Sequence, residues 1–109
     1  MKTIIAGGRD YELSPEDCAR LAELEISEVV CGCARGADTG GRNWAEALGI
    51  PVKLFPADWP RLGSAAGPIR NQQMADYADA LVAFPGGRGT ADMVRRAKAE
   101  GLVVHDWRD

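Results

Sequence analysis

The sequence has no long apolar run. Its hydrophobic stretches are only a few residues long, whereas a membrane-spanning helix needs about 20. The stretch at the start of the chain, within Met1–Asp10, is also too short for a secretory signal peptide. We therefore expect a cytoplasmic protein that does not associate with a membrane.

Cysteine and histidine are scarce. The three cysteines include no CxxC pair, and the single histidine, His105, has no cluster of further ligands around it, so we expect neither a metal site nor a cofactor. The odd cysteine count in a cytoplasmic chain also argues against structural disulfides. Cys31 and Cys33 flank Gly32 at a predicted strand end, and we expect both to be small buried side chains rather than a redox pair.

Positive charge is not in excess. Thirteen basic and sixteen acidic residues give a net charge of −3, which argues against a nucleic-acid backbone as the partner. Ten of the basic residues are arginine and three are lysine. Arginine suits bidentate recognition of phosphate or carboxylate, although a GC-rich genome produces the same bias.

The remaining composition is that of a globular protein, with 46% hydrophobic and 27% charged residues. The length predicts one domain, residues 1–109, with a core of its own. Short apolar runs predict strands at 3–6, 28–31, 52–55, 80–84 and 102–105. Because these runs alternate with helical stretches, the sequence predicts a Rossmann-like, three-layer α/β/α fold around a mostly parallel five-stranded sheet.

Helix start signals occur at four places between these strands: Ser14-Pro15, Asp38 or Thr39, Pro68, and Thr90. Asp38 is accordingly either a helix cap or a contact to the ribose of a ligand. Residues 57–67 are predicted to form the one long loop. Trp59 in this loop is either a packing anchor or a surface on which a base stacks.

Glycines gather where predicted strands end. Seven of the thirteen follow such an end: Gly7, Gly8, Gly32, Gly36, Gly86, Gly87 and Gly89. In a parallel sheet these ends share one edge, which is where open α/β sheets bind ligands. Glycine allows a close backbone approach, and the helix N-termini that follow attract phosphate. Each turn also carries an arginine, namely Arg9, Arg35 or Arg88. We therefore expect a phosphorylated ligand at this edge, over the alternative that tight turns simply require glycine.

Two common nucleotide motifs are missing. The chain contains neither GxGxxG nor GxxxxGK[ST], which excludes the dinucleotide fingerprint and the P-loop. No histidine–carboxylate pair accompanies a serine or cysteine, so a nucleophilic triad is not expected either.

The segment Pro85-Gly86-Gly87-Arg88-Gly89-Thr90 is more specific. It resembles the PGGxGT motif of the SLOG superfamily, which includes the Lonely Guy phosphoribohydrolases and the Smf/DprA proteins. The upstream spacing of Arg70, Met74-Ala75 and Ala78-Asp79-Ala80 is similar to the Lonely Guy pattern. The segments 5–9, 32–38 and 66–71 resemble the YspA-type, YpsA-related SLOG domain more closely, and the resemblance covers nearly the whole chain.

The resemblance implies a domain that binds a nucleotide or a nucleotide-derived ligand. The residues expected to bind it are Gly7, Gly8, Arg9, Gly32, Arg35, Gly36, Asp38, Arg70, Asn71, Gly86, Gly87, Arg88, Gly89 and Thr90. Members of the superfamily commonly dimerise, so the resemblance also implies a homo-oligomer. No residue pattern in this sequence indicates the oligomeric state by itself.

Whether such a domain is an enzyme depends on one position. The Lonely Guy pattern continues as PGGxGTxxE, and Met93 stands where that glutamate would be. Asp92 is adjacent, but one residue turns a helical side chain by about 100°, so we expect Asp92 to point away from the site. Arg70 and Asp92 are the weak candidates for catalysis. The preferred hypothesis is a sensor-type nucleotide-binding domain. The alternatives are a nucleoside 5′-monophosphate phosphoribohydrolase and a protein-interaction module with a vestigial pocket.

Overall fold

The computed structural model describes all 109 residues, and strands form at each predicted apolar run. The strands are β1 (Lys2–Ala6), β2 (Glu28–Cys31), β3 (Val52–Leu54), β4 (Ala80–Ala83) and β5 (Val103–Asp106). They form one sheet in the order β3-β2-β1-β4-β5, and every pairing is parallel. The predicted Rossmann-like α/β fold is confirmed.

Helices cover both faces of the sheet. They are α1 (Pro15–Ala22), α2 (Ala37–Ala47), α3 (Trp59–Leu62), α4 (Ala66–Tyr77) and α5 (Arg88–Ala99), with a 3₁₀ turn at Gly63–Ala65. Neighbouring side chains of a strand point to opposite faces. Ile4 therefore packs in the core under α4 and α5, whereas Ile5 packs under α1 and α2. No helix of the chain is long and apolar enough to cross a bilayer.

The first helix begins as predicted. The hydroxyl of Ser14 accepts a hydrogen bond from the N–H of Asp17 at 3.0 Å, and the Asp17 carboxylate accepts one from the N–H of Ser14 at 3.0 Å. This reciprocal pair is a capping box, which satisfies two N–H groups that the helix itself leaves free.

The other long helices begin earlier than predicted. Gly36 precedes α2 and Gly87 precedes α5, and neither helix has a side-chain cap. Asp38 is therefore the second residue of α2, which excludes the cap alternative for this residue and leaves the other. Thr90 is the third residue of α5, so the prediction that it caps this helix is wrong. The prediction that Pro68 opens α4 is also wrong, because Pro68 lies inside the first turn, where no N–H is required.

Two further predictions need correction. The predicted long loop at 57–67 contains α3 and the 3₁₀ turn, because the Asp58 carboxylate caps α3 by accepting from the N–H of Arg61 at 3.3 Å. Cys31 is buried as expected, and burial raises its pKa to about 11. Cys33 is exposed instead, since the chain leaves the sheet there in a left-handed conformation with φ 64°.

The turns after β1, β2 and β4 meet through their backbones. The N–H of Gly8 donates to the carbonyl of Pro85 at 2.8 Å, and the N–H of Ala37 donates to the carbonyl of Gly8 at 3.3 Å. Gly36 has φ 81°, and a Cβ there would overlap the carbonyl oxygen of Gly8. A side chain on Gly7 would come within 2.6 Å of the Cβ of Ala37. At Gly7 and Gly36, glycine is therefore required by the packing of the turns themselves, whether or not a ligand is bound.

Gly36→Ala tests this requirement. We expect it to lower the free energy of unfolding by about 3 kcal/mol or more, because a backbone with φ 81° and ψ −128° is one that only glycine adopts readily, at a cost of about 1–3 kcal/mol for other residues, and the overlap adds to it. Gly49→Ala is the matched control, with φ 72° but no atom within 4 Å of the added Cβ. It should cost only about 1 kcal/mol. Urea unfolding measures both variants, and equal losses would contradict the steric argument.

Candidate functional site

A cavity of about 1210 Å³ opens at the carboxyl edge of the sheet. It lies where the strand order reverses, since β1 is flanked by β2 on one side and β4 on the other. Most of the expected ligand-binding residues line it: Gly7, Gly8, Arg9, Asp38, Arg70, Asn71, Gly86, Gly87, Arg88, Gly89 and Thr90. The fold thus brings together residues that are up to 83 positions apart, from Gly7 to Thr90.

Three expected residues are not part of this lining. Gly32 is buried beneath it, and its carbonyl accepts a hydrogen bond from Nη1 of Arg70. A Cβ on Gly32 would lie 2.7 Å from that nitrogen, so this glycine makes room for the arginine. Arg35 and Gly36 border a neighbouring cavity of about 840 Å³, which shares Arg9 with the first.

The first turn of α5 presents unused donors to the cavity. The first helical hydrogen bond runs from the N–H of Ala91 to the carbonyl of Gly87 at 3.0 Å. The N–H groups of residues 86–90 donate to no acceptor in the protein. Residues 86–89 are exposed and line the cavity, and three of them are glycines that carry no side chain.

The hydroxyl of Thr90 extends this set of donors. Thr90 is only 6% exposed, yet its Oγ1 takes part in no hydrogen bond. A Cβ on Gly86 would overlap this oxygen, so glycine at that position lets the hydroxyl approach the turn. Since no fully buried polar side-chain atom of the chain lacks a partner, Oγ1 is accessible from the cavity.

A chain of hydrogen bonds connects the turn after β2 with α4 and α5 along the wall of the cavity. Nε of Arg70 donates to Oδ1 of Asn71 at 3.0 Å, in addition to the bond from Arg70 to Gly32. Nδ2 of Asn71 donates to Oδ2 of Asp92 at 3.0 Å and to the carbonyl of Gly89 at 3.3 Å. The side chains of Arg70 and Asn71 are thereby fixed before any ligand arrives.

Asp92 borders the cavity, contrary to the expectation that it points away. Its carboxylate is drawn toward Asn71 and forms ion pairs with Arg95 and with Arg96, the latter at 2.9 Å. Burial alone would raise the pKa of Asp92, but the hydrogen bonds from Arg96 and Asn71 outweigh burial and hold the pKa below its usual range. Met93 is 1% exposed and packs in the core, as expected.

Asp38 places a carboxylate in the same cavity, and it is only 7% exposed. Burial raises the pKa of Asp38 to about 6. The positive charge of Arg70 and the backbone N–H groups of Ala34 and Gly32 offset only part of this effect. The cavity therefore contains a carboxylate that is costly to keep ionised.

Exposed arginines border both cavities: Arg9 and Arg88 line the first, and Arg9 and Arg35 line its neighbour. Arg9, Arg35 and Arg88 form no ion pair and no side-chain hydrogen bond. Arg95 also lines the cavity and was not anticipated, although it lies two helical turns beyond Arg88 on the same face of α5. Trp59 stands at the opening with 52% of its surface exposed, and its ring edge contacts Gly67. No sequence pattern marks Tyr11, which lines both cavities and stacks on Phe84 at 5.2 Å.

This fold and cavity define a Rossmann-like α/β protein with an open site at the carboxyl edge of its parallel sheet. The chain is 39% identical to the Gene 61 protein of Mycobacterium phage D29, in an alignment that covers 74% of this chain and 71% of the phage protein. It therefore belongs to the family of that phage protein. No family model and no solved structure matches the chain.

The buried carboxylate makes stability depend on pH. Near pH 5 the folded protein holds a proton on Asp38 that the unfolded chain has released, so this group lowers the free energy of unfolding as the pH rises from about 4 to about 6. Asp38→Asn removes the effect. We expect the variant to be more stable than the parent by about 1–3 kcal/mol above about pH 6, and equally stable near about pH 4. Urea unfolding across this range measures the difference, and a variant less stable than the parent at neutral pH would contradict the argument.

Proposed function

We propose that the protein binds a nucleotide or a nucleotide-derived ligand, as a sensor-type domain of the SLOG kind, with a phosphate group at the N-terminus of α5. The observation that carries this proposal is the run of free N–H groups at residues 86–90, together with the unpartnered hydroxyl of Thr90. A phosphate accepts several hydrogen bonds at once and gains from the positive end of the helix dipole.

The charges around this turn favour an anion. Arg88 and Arg9 are exposed and have no ion pair, so their guanidinium groups are available to a phosphate. The nearest acidic group on α5, Asp92, is neutralised by Arg95 and Arg96. The resemblance of residues 85–90 to PGGxGT supports the same assignment.

Hydrolysis of the ligand is the second candidate function, and Asp92 is the observation in its favour. Its carboxylate borders the cavity and is connected to Arg70 through Asn71. Two arginines keep that carboxylate ionised, however, which makes it a poor proton donor at neutral pH. Met93 is buried and cannot transfer a proton. These features favour binding over cleavage.

A ligand screen tests the proposal. AMP, ADP-ribose, NAD and cyclic AMP are each titrated against the protein while thermal unfolding is followed, with adenosine as the control that lacks phosphate. We expect at least one phosphorylated compound to raise the melting temperature. At a hundredfold excess over Kd, binding should raise the free energy of unfolding by about 2.7 kcal/mol. Adenosine should have no effect. Gly87→Val should abolish the response, because its side chain projects into the space that the phosphate would occupy.

The control for that variant is Ala99→Val, which adds bulk at an exposed position of the same helix outside the cavity. It should leave the response unchanged. If no phosphorylated compound acts at millimolar concentration, or if Gly87→Val responds like the parent, the phosphate site is not at this turn.

Chromatography of AMP incubated with the protein tests the hydrolase alternative. We expect no release of adenine above background, because a positioned proton-transfer group typically contributes 10²–10⁴-fold to such a rate and none replaces Met93. Met93→Glu should restore at most a small part of the activity, since burying a carboxylate in that core is costly. Turnover of about 1 s⁻¹ or faster by the parent would instead establish the enzyme.

A further inference from the structure

Two sets of groups with opposite hydrogen-bonding character line the cavity. One set consists of the free N–H groups at residues 86–90 and the Thr90 hydroxyl. The other is the carboxylate of Asp38, which accepts hydrogen bonds and is held at the start of α2. A single ligand that contacts both sets has an anionic group for the first and hydrogen-bond donors for the second.

The two oxygens of Asp38 have different surroundings. Oδ2 accepts a hydrogen bond from the N–H of Ala34 at 3.4 Å, and the Cβ position of Gly32 lies 2.8 Å from the same oxygen. The N–H of Gly32 also lies close enough to the carboxylate to lower its pKa, but no hydrogen bond of ordinary geometry ends on Oδ1. Since the chain leaves no fully buried polar side-chain atom without a partner, Oδ1 is reached from the cavity that Asp38 lines.

The charges near Asp38 restrict what this oxygen can bind. A phosphate beside this carboxylate would place two negative charges together in a buried site, which is unfavourable. Arg70 on α4 acts on the carboxylate through its positive charge, and the thiol of Cys31 on β2 donates to the main-chain carbonyl of Asp38. A cationic ligand group would be repelled by Arg70, whereas a neutral hydroxyl donates to the carboxylate without such a penalty.

A purely structural role for Asp38 leaves part of the observation unexplained. An asparagine could accept the N–H of Ala34 through its amide oxygen without burying a charge. The protein instead carries a carboxylate that is costly to ionise and that lines the cavity. The second oxygen is the one that an asparagine would replace with a donor.

We propose that Asp38 accepts hydrogen bonds from the sugar hydroxyls of the bound nucleotide, so that the cavity selects a ribose phosphate over a deoxyribose phosphate. This inference rests on the proposed nucleotide-binding function and adds the substrate class. The phosphate at α5 supplies affinity, and Asp38 supplies the discrimination between sugars.

Titration calorimetry with AMP, 2′-deoxy-AMP and 3′-deoxy-AMP at neutral pH tests the inference. We expect AMP to bind the parent at least about tenfold more tightly than one of the two deoxynucleotides, because a hydrogen bond to a charged acceptor is lost without its hydroxyl. The deoxynucleotide that loses affinity identifies the hydroxyl that Asp38 contacts.

Asp38→Asn should remove this preference. The amide oxygen takes the N–H of Ala34, the amide nitrogen then faces the cavity, and the affinity for AMP falls to within about threefold of that for the deoxynucleotides. Asp38→Ala, which has no acceptor, should lose the preference in the same way. Asp76→Asn is the matched control, because it removes the same charge from an exposed position of α4 outside the cavity, and it should keep the preference.

The outcomes separate the two proposals. If the parent binds all three nucleotides equally, or if Asp38→Asn retains the preference for AMP, the role of Asp38 is overturned while nucleotide binding stands. If none of the three binds, although another phosphorylated compound raises the melting temperature, the ribose phosphate assignment is overturned. If no phosphorylated compound binds at all, the proposed function and this inference fail together.

Discussion

The architecture of the site depends on the close approach of three backbone turns. The carbonyl of Gly8 accepts from the N–H of Ala37, and the N–H of Gly8 donates to the carbonyl of Pro85. These bonds hold the ends of β1, β2 and β4 together, which is possible only because Gly36 has no side chain. The N-termini of α2 and α5 are consequently brought to one edge of the sheet, where Asp38 of α2 and the first turn of α5 line the same cavity.

The helices differ in how their N-termini are satisfied. In α1, Ser14 and Asp17 close the first turn with their own side chains. The helices α2 and α5 begin at glycines and have no side-chain cap. Free N–H groups are a cost to the folded protein unless water or a ligand accepts from them. Of these two helices, α5 is the one at which an anion contributes most, because Asp38 already places a negative charge in the first turn of α2.

Much of this arrangement follows from local sequence patterns. Alternating strands and helices predict the fold, and glycines at strand ends predict the edge at which the cavity lies. The glycines themselves divide into two groups that the sequence does not distinguish. Gly7 and Gly36 are required by packing, whereas Gly87 and Gly89 face open space, which is where a ligand has room to approach.

The errors have a common physical origin. A capping side chain leaves a recognisable residue at a helix start, but a glycine start depends on backbone geometry, so the sequence pattern places the starts of α2 and α5 too late in the chain. The position of Asp92 depends on Asn71, which is 21 residues away. The anchoring of Arg70 on Gly32 spans 38 residues. Contacts of this range are set by tertiary packing and have no signature in a local pattern.

The bond between Arg70 and the carbonyl of Gly32 has a consequence for how fast and how tightly a ligand is captured. A free arginine loses up to about 2 kcal/mol of side-chain entropy when it is immobilised. Here folding has already removed much of that freedom, because Arg70 is held by Gly32 and Asn71 in the empty protein. A ligand that contacts this guanidinium therefore meets a preorganised group, and its binding needs no rotamer search at that position.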